Sequence, residues 1–596
     1  DADPAPIRAA ALRHESPALD VELGGPAFTE QPGASHGTEA AGILAALVLL
    51  LLMFRSGWAA VLPIVTGVAG VGVSLLVVTL ASHRIDLAAT SLTMGALIGL
   101  GVGIDYALFI VNRHRRQLLA AWKVRDSIAE ALNTSGRAVV FAGATVIAAL
   151  LGMYVVDLGV LTGMAQAAAV TVLFTVLAAV TLLPALLALL GHRVLSRRQR
   201  AALAAGDHPI TSHRSRPGLA YRWAALVERA PLRLAAAALL VVAVLAAPVT
   251  AMRVGDADAS SEPAGSTARA YHDMMTPAFG AGVDATLLLV AEIPDAAARA
   301  AFTRLAGELP SLPGVASAAP AGPSALTVVP QSGASDERTA DLVKRLREEI
   351  VPAAAAGTAL RVYVGGATAT AVDMSDALLG KLPLYLGLIA LLGFLLLAVA
   401  FRSVLVPLAG ALTNLATIGA GLGAITAIFQ FGWGSELLGV GSGAPIMYLV
   451  PVLIVGVMFG LSMDYQVFLV SRMQEEWART GDNRRAVRAG VADTAQVIAA
   501  AATIMLCVFA SFGFSGERIV AAIGIGLGIA VVVDAFVVRL TLIPALMHLI
   551  GRANWWYPRW AGRITPHLSV EGAAPPDPTP APEHRPVAAT AATGGE

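Results

Sequence analysis

Charge is scarce in this chain. Asp, Glu, Lys and Arg make up 14% of its 596 residues, against about 25% in an ordinary soluble domain. That scarcity excludes a soluble enzyme and a disordered chain. Lys plus Arg and Asp plus Glu each number 41, so the formal net charge is zero and no broad basic surface serves nucleic acid. Cys507 is the single cysteine, which excludes an intramolecular disulfide and a thiolate metal cluster. Its apolar neighbours predict a buried, inert thiol. No GxxxxGKS/T loop is present: Gly380–Lys381 is followed by Leu382, so ATP is not the energy source. HExxH and GxSxG are absent too, and an enzyme is the weakest reading. No cofactor or metal is expected.

Hydrophobic length is abundant. Mean hydropathy is +0.71 and 56% of residues are hydrophobic. A membrane helix needs about 20 mostly apolar residues. Such runs cover 40–54, 56–82, 87–111, 138–156, 158–191, 234–252, 382–401, 403–435, 437–471, 494–516 and 519–551, which predicts eleven helices. Arg55, the NRHRRQ run at 112–117, GHRVLSRRQR at 191–200, Arg402 and the stretch Arg472 to Arg488 all fall on one face if the helices alternate. Asp157, Glu436, Glu517–Arg518 and the lone Arg84 fall on the other. The basic face is predicted to be cytosolic. The N-terminus is then outside and the C-terminus inside a multi-pass cell-membrane protein. An outside N-terminus without a signal sequence predicts a missing first helix, with residues 1–37 the tail of an external domain.

The chain repeats itself. DVELGGPA at 20–27 resembles RVYVGGAT at 361–368, and LLLMFRSGWAAVLP at 50–63 resembles LLAVAFRSVLVPLAG at 396–410. GVGIDYALFIVNR at 101–113 resembles GLSMDYQVFLVSR at 460–472, and VTLLPALLALLGHR at 180–193 resembles RLTLIPALMHLIGR at 539–552. The order is the same in both halves, each half has five helices after its GG strand, and both run in one direction. This is a parallel repeat.

The predicted organisation is therefore an external remnant at 1–37, a first five-helix bundle at 38–192, a cytosolic linker at 193–231, and a membrane helix at 232–253. An external domain follows at 254–380, then a second five-helix bundle at 381–552 and a cytosolic tail at 553–596, disordered after about 565. In the external domain the pattern reads strand, helix, strand, strand, helix, strand from Thr286 to Val364, the order of a ferredoxin-like unit. WWYPRW at 555–560 suits an aromatic anchor at the membrane interface. The linker and the tail read as segments without a packed core.

Inside the spans the ionisable residues of note are Asp105, Asp464, Asp534 and Arg539. An ionised carboxylate near the bilayer centre costs at least about 2.5–3.5 kcal/mol, so it must be paired, hydrated or protonated. Asp105 and Asp464 hold the same position in the two repeats. Each precedes a tyrosine, Tyr106 and Tyr465, and each has a phenylalanine one turn on, Phe109 and Phe468. Gly101 and Gly460 lie one turn before, where the missing side chain lets a neighbouring helix approach. Adjacent residues on a helix point about 100° apart, so Asp105 is expected to reach Tyr465, and Asp464 to reach Tyr106, across facing helices. The plain alternative is that both acids only hold the bundle together. Asp534 has no counterpart in the first half, where Phe174 sits, and structural pairing with Arg539 is the favoured reading.

These motifs carry a family resemblance. FRS at 54–56 and 401–403, GVGIDYALFIVNR, FGLSMDYQVFLVSRMQEEW, LLPALL at 182–187 and DAFVVRLTLIPALM at 534–547 are similar to those of the mycobacterial membrane protein large (MMPL) transporters. That family lies in the resistance–nodulation–division (RND) superfamily. The resemblance implies a polytopic α-helical bundle of twelve helices when complete, with α/β ferredoxin-like external porter domains. It implies export of lipids or hydrophobic small molecules driven by protons, with Asp105, Tyr106, Asp464 and Tyr465 as the proton relay, and a monomer or trimer in the bilayer. The alternative is a membrane lipid sensor or a scaffold for envelope assembly that transports nothing.

Overall fold

The computed structural model describes residues 5–16, 19–25, 28, 36–83, 89–205, 218–560 and 563. Arg84, residues 206–217 of the linker and the tail after 563 lie outside the described residues. Among the described residues, ten helices are long and apolar enough to cross a membrane, and Ala40–Phe54 is a shorter apolar helix. We label the first-half spans α1 (His36–Phe54), α2 (Gly57–Ala81), α3 (Ala89–Leu119), α4 (Val124–Val156) and α5 (Gly159–Val194). A separate span, α6 (Pro231–Ala251), starts on a proline, whose fixed φ suits the first helical position. The second-half spans are α9 (Ala367–Phe401), α10 (Leu405–Gln430), α11 (Leu449–Thr480), α12 (Asn483–Phe512) and α13 (Arg518–Trp555).

Burial ranks these helices. In α3 and α11 the apolar window is 94% buried inside the protein, against 17% in α6. The helices carrying the Asp–Tyr dipeptides are therefore the axis of the bundle. A helix in hydrocarbon has satisfied its backbone internally, so which face it buries is decided by side-chain packing and polar groups.

The FRS motif has a structural cause in both halves. Arg55 and Arg402 adopt left-handed backbone, φ 50° and 46°, and end α1 and α9. A non-glycine residue there costs about 1–2 kcal/mol. The serine that follows restarts the chain: Ser56 is the extended N-cap of α2. Ser403 Oγ accepts from Val406 N and donates to Asn554 O. The motif is thus a tight reversal between consecutive spans.

Between α6 and α9 the chain forms β1 (Leu287–Glu292), α7 (Ala296–Glu308), β2 (Val315–Gly322), β3 (Ala325–Pro330), α8 (Glu337–Arg345) and β4 (Arg361–Gly365). The sheet is antiparallel with order β2-β3-β1-β4, the topology expected of a ferredoxin-like unit. Strict alternation in β1 buries Leu287, Leu289 and Ala291 against Phe302 and Leu305 of α7, giving the segment its own core.

Several expectations need correction. The apolar run at 437–471 is α-helical only from Leu449, after a short 3₁₀ turn at Ser435–Leu438. Gly432, Gly434, Gly439 and Gly441 all have positive φ, so the chain before it is a folded-back loop that carries apolar side chains. The GG segment of the first half is not a strand: residues 20–24 have no regular structure, while their repeat partner is β4. An isolated extended segment has no ladder to pair with among the described residues. The linker does contain packed structure. Leu219–Arg229 is an amphipathic helix with Ala224 and Val227 buried, and Trp223 Nε1 donates to Leu540 O at 2.9 Å. Of the WWYPRW run, Trp555 turns inward, stacking on Trp477 and donating to Asn483, whereas Trp556 and Trp560 are exposed. Cys507 is half-buried on α12, not fully enclosed.

Candidate functional site

Asp105 and Tyr106 sit midway along α3, Asp464 and Tyr465 midway along α11, and none of the four is more than 3% exposed. Across the two helices Asp105 adjoins Tyr465 and Asp464 adjoins Tyr106. Each acid is close enough to the opposite tyrosine to interact, but not at normal hydrogen-bond geometry. Asp105 Oδ1, Tyr106 Oη and both Asp464 oxygens have no hydrogen-bond partner, and Tyr465 Oη points to Met505 Sδ of α12 at 2.8 Å. Buried polar atoms left open in this way are uncommon. A carboxyl oxygen without a donor is a seat for a proton.

The contact between α3 and α11 is made by aromatic rings. Phe109 and Phe468 stack at 4.0 Å between centroids and 8° between planes, and Phe109 also meets Tyr465 at 6.3 Å. Neither glycine serves that contact. A Cβ on Gly460 would lie 3.0 Å from Val146 Cα of α4, and one on Gly101 would meet the Phe509 ring of α12 at 3.2 Å. Each central helix is thus seated against a helix of the opposite half, the backbones close at Gly460 and a ring intervening at Gly101.

Asp534 and Arg539 form a separate, nearby cluster, fully buried. Arg539 reaches Asp534 Oδ2 at 3.3 Å, Gln466 Oε1 at 2.7 Å, Asn414 Oδ1 at 2.6 Å, and both Ser462 O and Ser462 Oγ. Ser462 Oγ also lies 2.7 Å from Asp534 Oδ1. A spacing of five residues would put Asp534 and Arg539 about 140° apart on an α-helix. Residues Val533–Leu542 are instead π-helical, and the wider turn brings both side chains to one face. This is the structural pairing favoured from sequence, and it adjoins Asp464.

Sequence reasoning missed Asn414, Ser462, Gln466 and Met505. A signal for two of them was present. Within the repeated motif Ser462 and Gln466 stand where the first half has Gly103 and Ala107, so only one copy carries polar groups there. Asn414 and Met505 lie on other helices, and no spacing rule connects them to the motif. Among the described residues no group of three or more His, Cys, Asp or Glu could hold a metal ion.

The chain is 36% identical over 569 residues to membrane protein YdfJ of Bacillus subtilis, covering 94% of this chain and 75% of YdfJ. It is 34% identical to MmpL11 of Mycolicibacterium smegmatis, a mycolic acid-containing lipids exporter, over 89% of this chain and 56% of that protein. The Mycobacterium tuberculosis MmpL11, named a heme uptake protein, is 33% identical over 89% of this chain and 55% of its own length. The chain therefore spans little more than half of these MmpL11 proteins. The structure of the hedgehog release protein Disp from the water bear Hypsibius dujardini shares the fold, with TM-score 0.59 and 11% identity over 86% of this chain and 70% of that one. The sequence model of the MMPL family matches residues 2–234 and 313–567, and the chain belongs to that family, within the RND superfamily.

Proposed function

We propose that the protein is an exporter of lipids or hydrophobic small molecules across the cytoplasmic membrane, driven by proton antiport, with its basic loops in the cytosol. One observation carries this reading. Two Asp–Tyr dipeptides at equivalent repeat positions adjoin each other at the most buried point of the bundle, with carboxyl oxygens that lack hydrogen-bond partners. A merely structural acid in hydrocarbon is expected to be satisfied, as Asp534 is.

The chemistry follows from that contrast. An ionised Asp105 or Asp464 is costly in this site, and a proton arriving from the sheet-bearing side neutralises it. The neutral carboxyl then donates to the opposite tyrosine, which changes the contact between α3 and α11. One charge crossing 100 mV supplies about 2.3 kcal/mol, and each pH unit adds about 1.4 kcal/mol. One or two protons suffice for a modest export step. The lipid-exporting relative supports a lipid cargo. The relative named for heme uptake supports a second reading, inward transport of a flat hydrophobic cofactor. A sensor or scaffold that moves nothing is the alternative from a different class.

The test uses full-length protein in liposomes with an imposed proton gradient and a fluorescent lipid as cargo. The parent should couple proton influx to outward lipid movement, and Asp105→Asn and Asp464→Asn should each abolish both. Export by the Asn variants at the parent's rate would sink the relay. Inward movement of heme under the same gradient favours the second reading, and absence of any flux favours the sensor.

A further inference from the structure

Below the relay, toward the basic face, α3, α4, α11 and α12 line an open crevice of about 60 Å³, with Arg116 and Asp493 exposed at it. Polar groups are set into its largely apolar walls, among them Asn112, Arg116, Thr134, Ser135, Arg472 and Asp493. Its remaining lining includes Phe109 and Phe468, the stacked pair. A water needs about 10–15 Å³ of such space and two or more polar partners, so the chamber has room for a few waters. Asp493 is the only acid in the lining, and Arg116 and Arg472 face it.

The change of environment across the phenylalanine pair is abrupt. One helical turn above it, about 6 Å along the axis, lie Asp105 and Asp464, with oxygens that nothing in the protein satisfies. Directly beneath it lies the open crevice with its charged and hydroxyl groups. The plate between them is two parallel rings at van der Waals separation, contributed by equivalent positions of the two repeats. A hydrophobic constriction of this kind blocks passage by excluding water. It is also the contact that joins α3 to α11, so any relative shift of those helices opens or closes it.

We propose that the Phe109–Phe468 stack is the gate between the relay acids and the open chamber on the basic face, and that Asp493 is the acid that receives the proton there. The inference rests on the proton-driven reading above. When the rings part, a proton leaves the carboxyl O–H of Asp105 or Asp464 to a chamber water. The hydronium then passes its proton to the Asp493 carboxylate, and from there to bulk water. No other bond changes. With the rings stacked, the relay is closed on this side, which keeps proton flow from running without cargo.

Two measurements on the full-length protein test this. In liposomes with a pH-sensitive dye inside and no cargo, Phe109→Ala/Phe468→Ala should raise proton leak by at least about tenfold, equivalent to about 1.4 kcal/mol of barrier. Adding Asp105→Asn should abolish that leak, and Asp493→Asn should lower it. The second measurement is independent of proton flow. In a Cys507→Ser background, Ser135→Cys should react with a membrane-impermeant thiol reagent supplied on the basic face, while Asp105→Cys should not. Adding Phe109→Ala should expose Asp105→Cys to the reagent. Equal labelling of Asp105→Cys with the rings intact overturns the gate, as does unchanged leak in a folded double variant. A parent that couples no proton flux to transport sinks the antiport reading, and the proton role of the gate with it, whatever the labelling. Loss of gating in a parent that does couple them sinks the gate alone.

Discussion

Replacing Arg539 by methionine removes a cation that has no access to solvent. Its guanidinium makes five hydrogen bonds, to Asp534, Gln466, Asn414 and two oxygens of Ser462. Three of these share the two protons of one nitrogen, so fewer than five act at full strength. Hydrogen bonds between membrane helices average about 0.6 kcal/mol, which puts the direct loss at about 2–3 kcal/mol. Removing one partner of a buried pair also strands the other charge, and such losses reach about 3–5 kcal/mol. Arg539→Met should therefore destabilise the protein by about 3–5 kcal/mol. Replacing the pair together, Asp534→Leu/Arg539→Met, should recover most of that, because no charge is left unpaired. The assay is unfolding in mixed micelles by SDS titration, followed by tryptophan fluorescence. Arg361→Met is the control, since Arg361 is exposed, 3.9 Å from Glu292, and a surface pair contributes about 0–1 kcal/mol. The reasoning is refuted if Arg539→Met falls within about 1 kcal/mol of that control, or if the double variant is less stable than Arg539→Met.

Gly460→Ala should cost more than Gly101→Ala. The added methyl meets Val146 backbone at 3.0 Å in the first case and only the rim of Phe509 in the second, so overpacking of about 1–3 kcal/mol is expected at Gly460 alone, read by the same titration. Arg518→Gln should loosen the joint between the bundle and the sheet-bearing segment. Arg518 donates to the carbonyls of Phe429, Val440, Ser442 and Ser261, and amide hydrogen exchange should speed up at 253–262 and 440–446 while the sheet core at 287–291 stays protected.

Ten of the eleven expected spans were legible because each is a long apolar run, the run at 40–54 forming a shorter apolar helix, and the repeat was legible because the two copies keep the same order of motifs. The sheet was legible from alternation in β1 and β3. Other features escaped for physical reasons. The loop before Leu449 is as apolar as a span, and only its four left-handed glycines distinguish it. The helix at Leu219–Arg229 is short, and its apolar residues are broken by Arg222, Glu228 and Arg229, so it does not read as a span. In the site, the acids and tyrosines stood out because charge is conspicuous in hydrocarbon. The groups that complete it, Asn414 and Met505, are ordinary residues brought in by tertiary packing. The spacing of Asp534 and Arg539 argued against their meeting on an α-helix, and the π-helical turn that reconciles them has no local sequence signature.

The two halves have diverged in a way that bears on how the site works. The first copy of the motif keeps Gly103 and Ala107, so Asp105 has no polar support from its own helix at these positions. The second copy has Ser462 and Gln466, which bind Arg539 and fasten α11 to α13. Asp464 therefore lies beside a fixed cation and Asp105 does not. A symmetric pair of acids would share one proton without preference, whereas these two sit in different fields. α13 also begins at Arg518, which grips the loops that meet the sheet-bearing segment. A single span thus runs from that joint to the cluster beside the Asp–Tyr pairs. Ser462 and Gln466 couple α11 to α13, and α13 in turn reaches the joint with the sheet-bearing segment at Arg518. In the first half, by contrast, α3 meets the opposite bundle at Gly101 through a Phe509 ring, a contact that can slide without breaking a hydrogen bond. The anchored copy and the sliding copy are what a bundle needs if protonation is to move one half relative to the other.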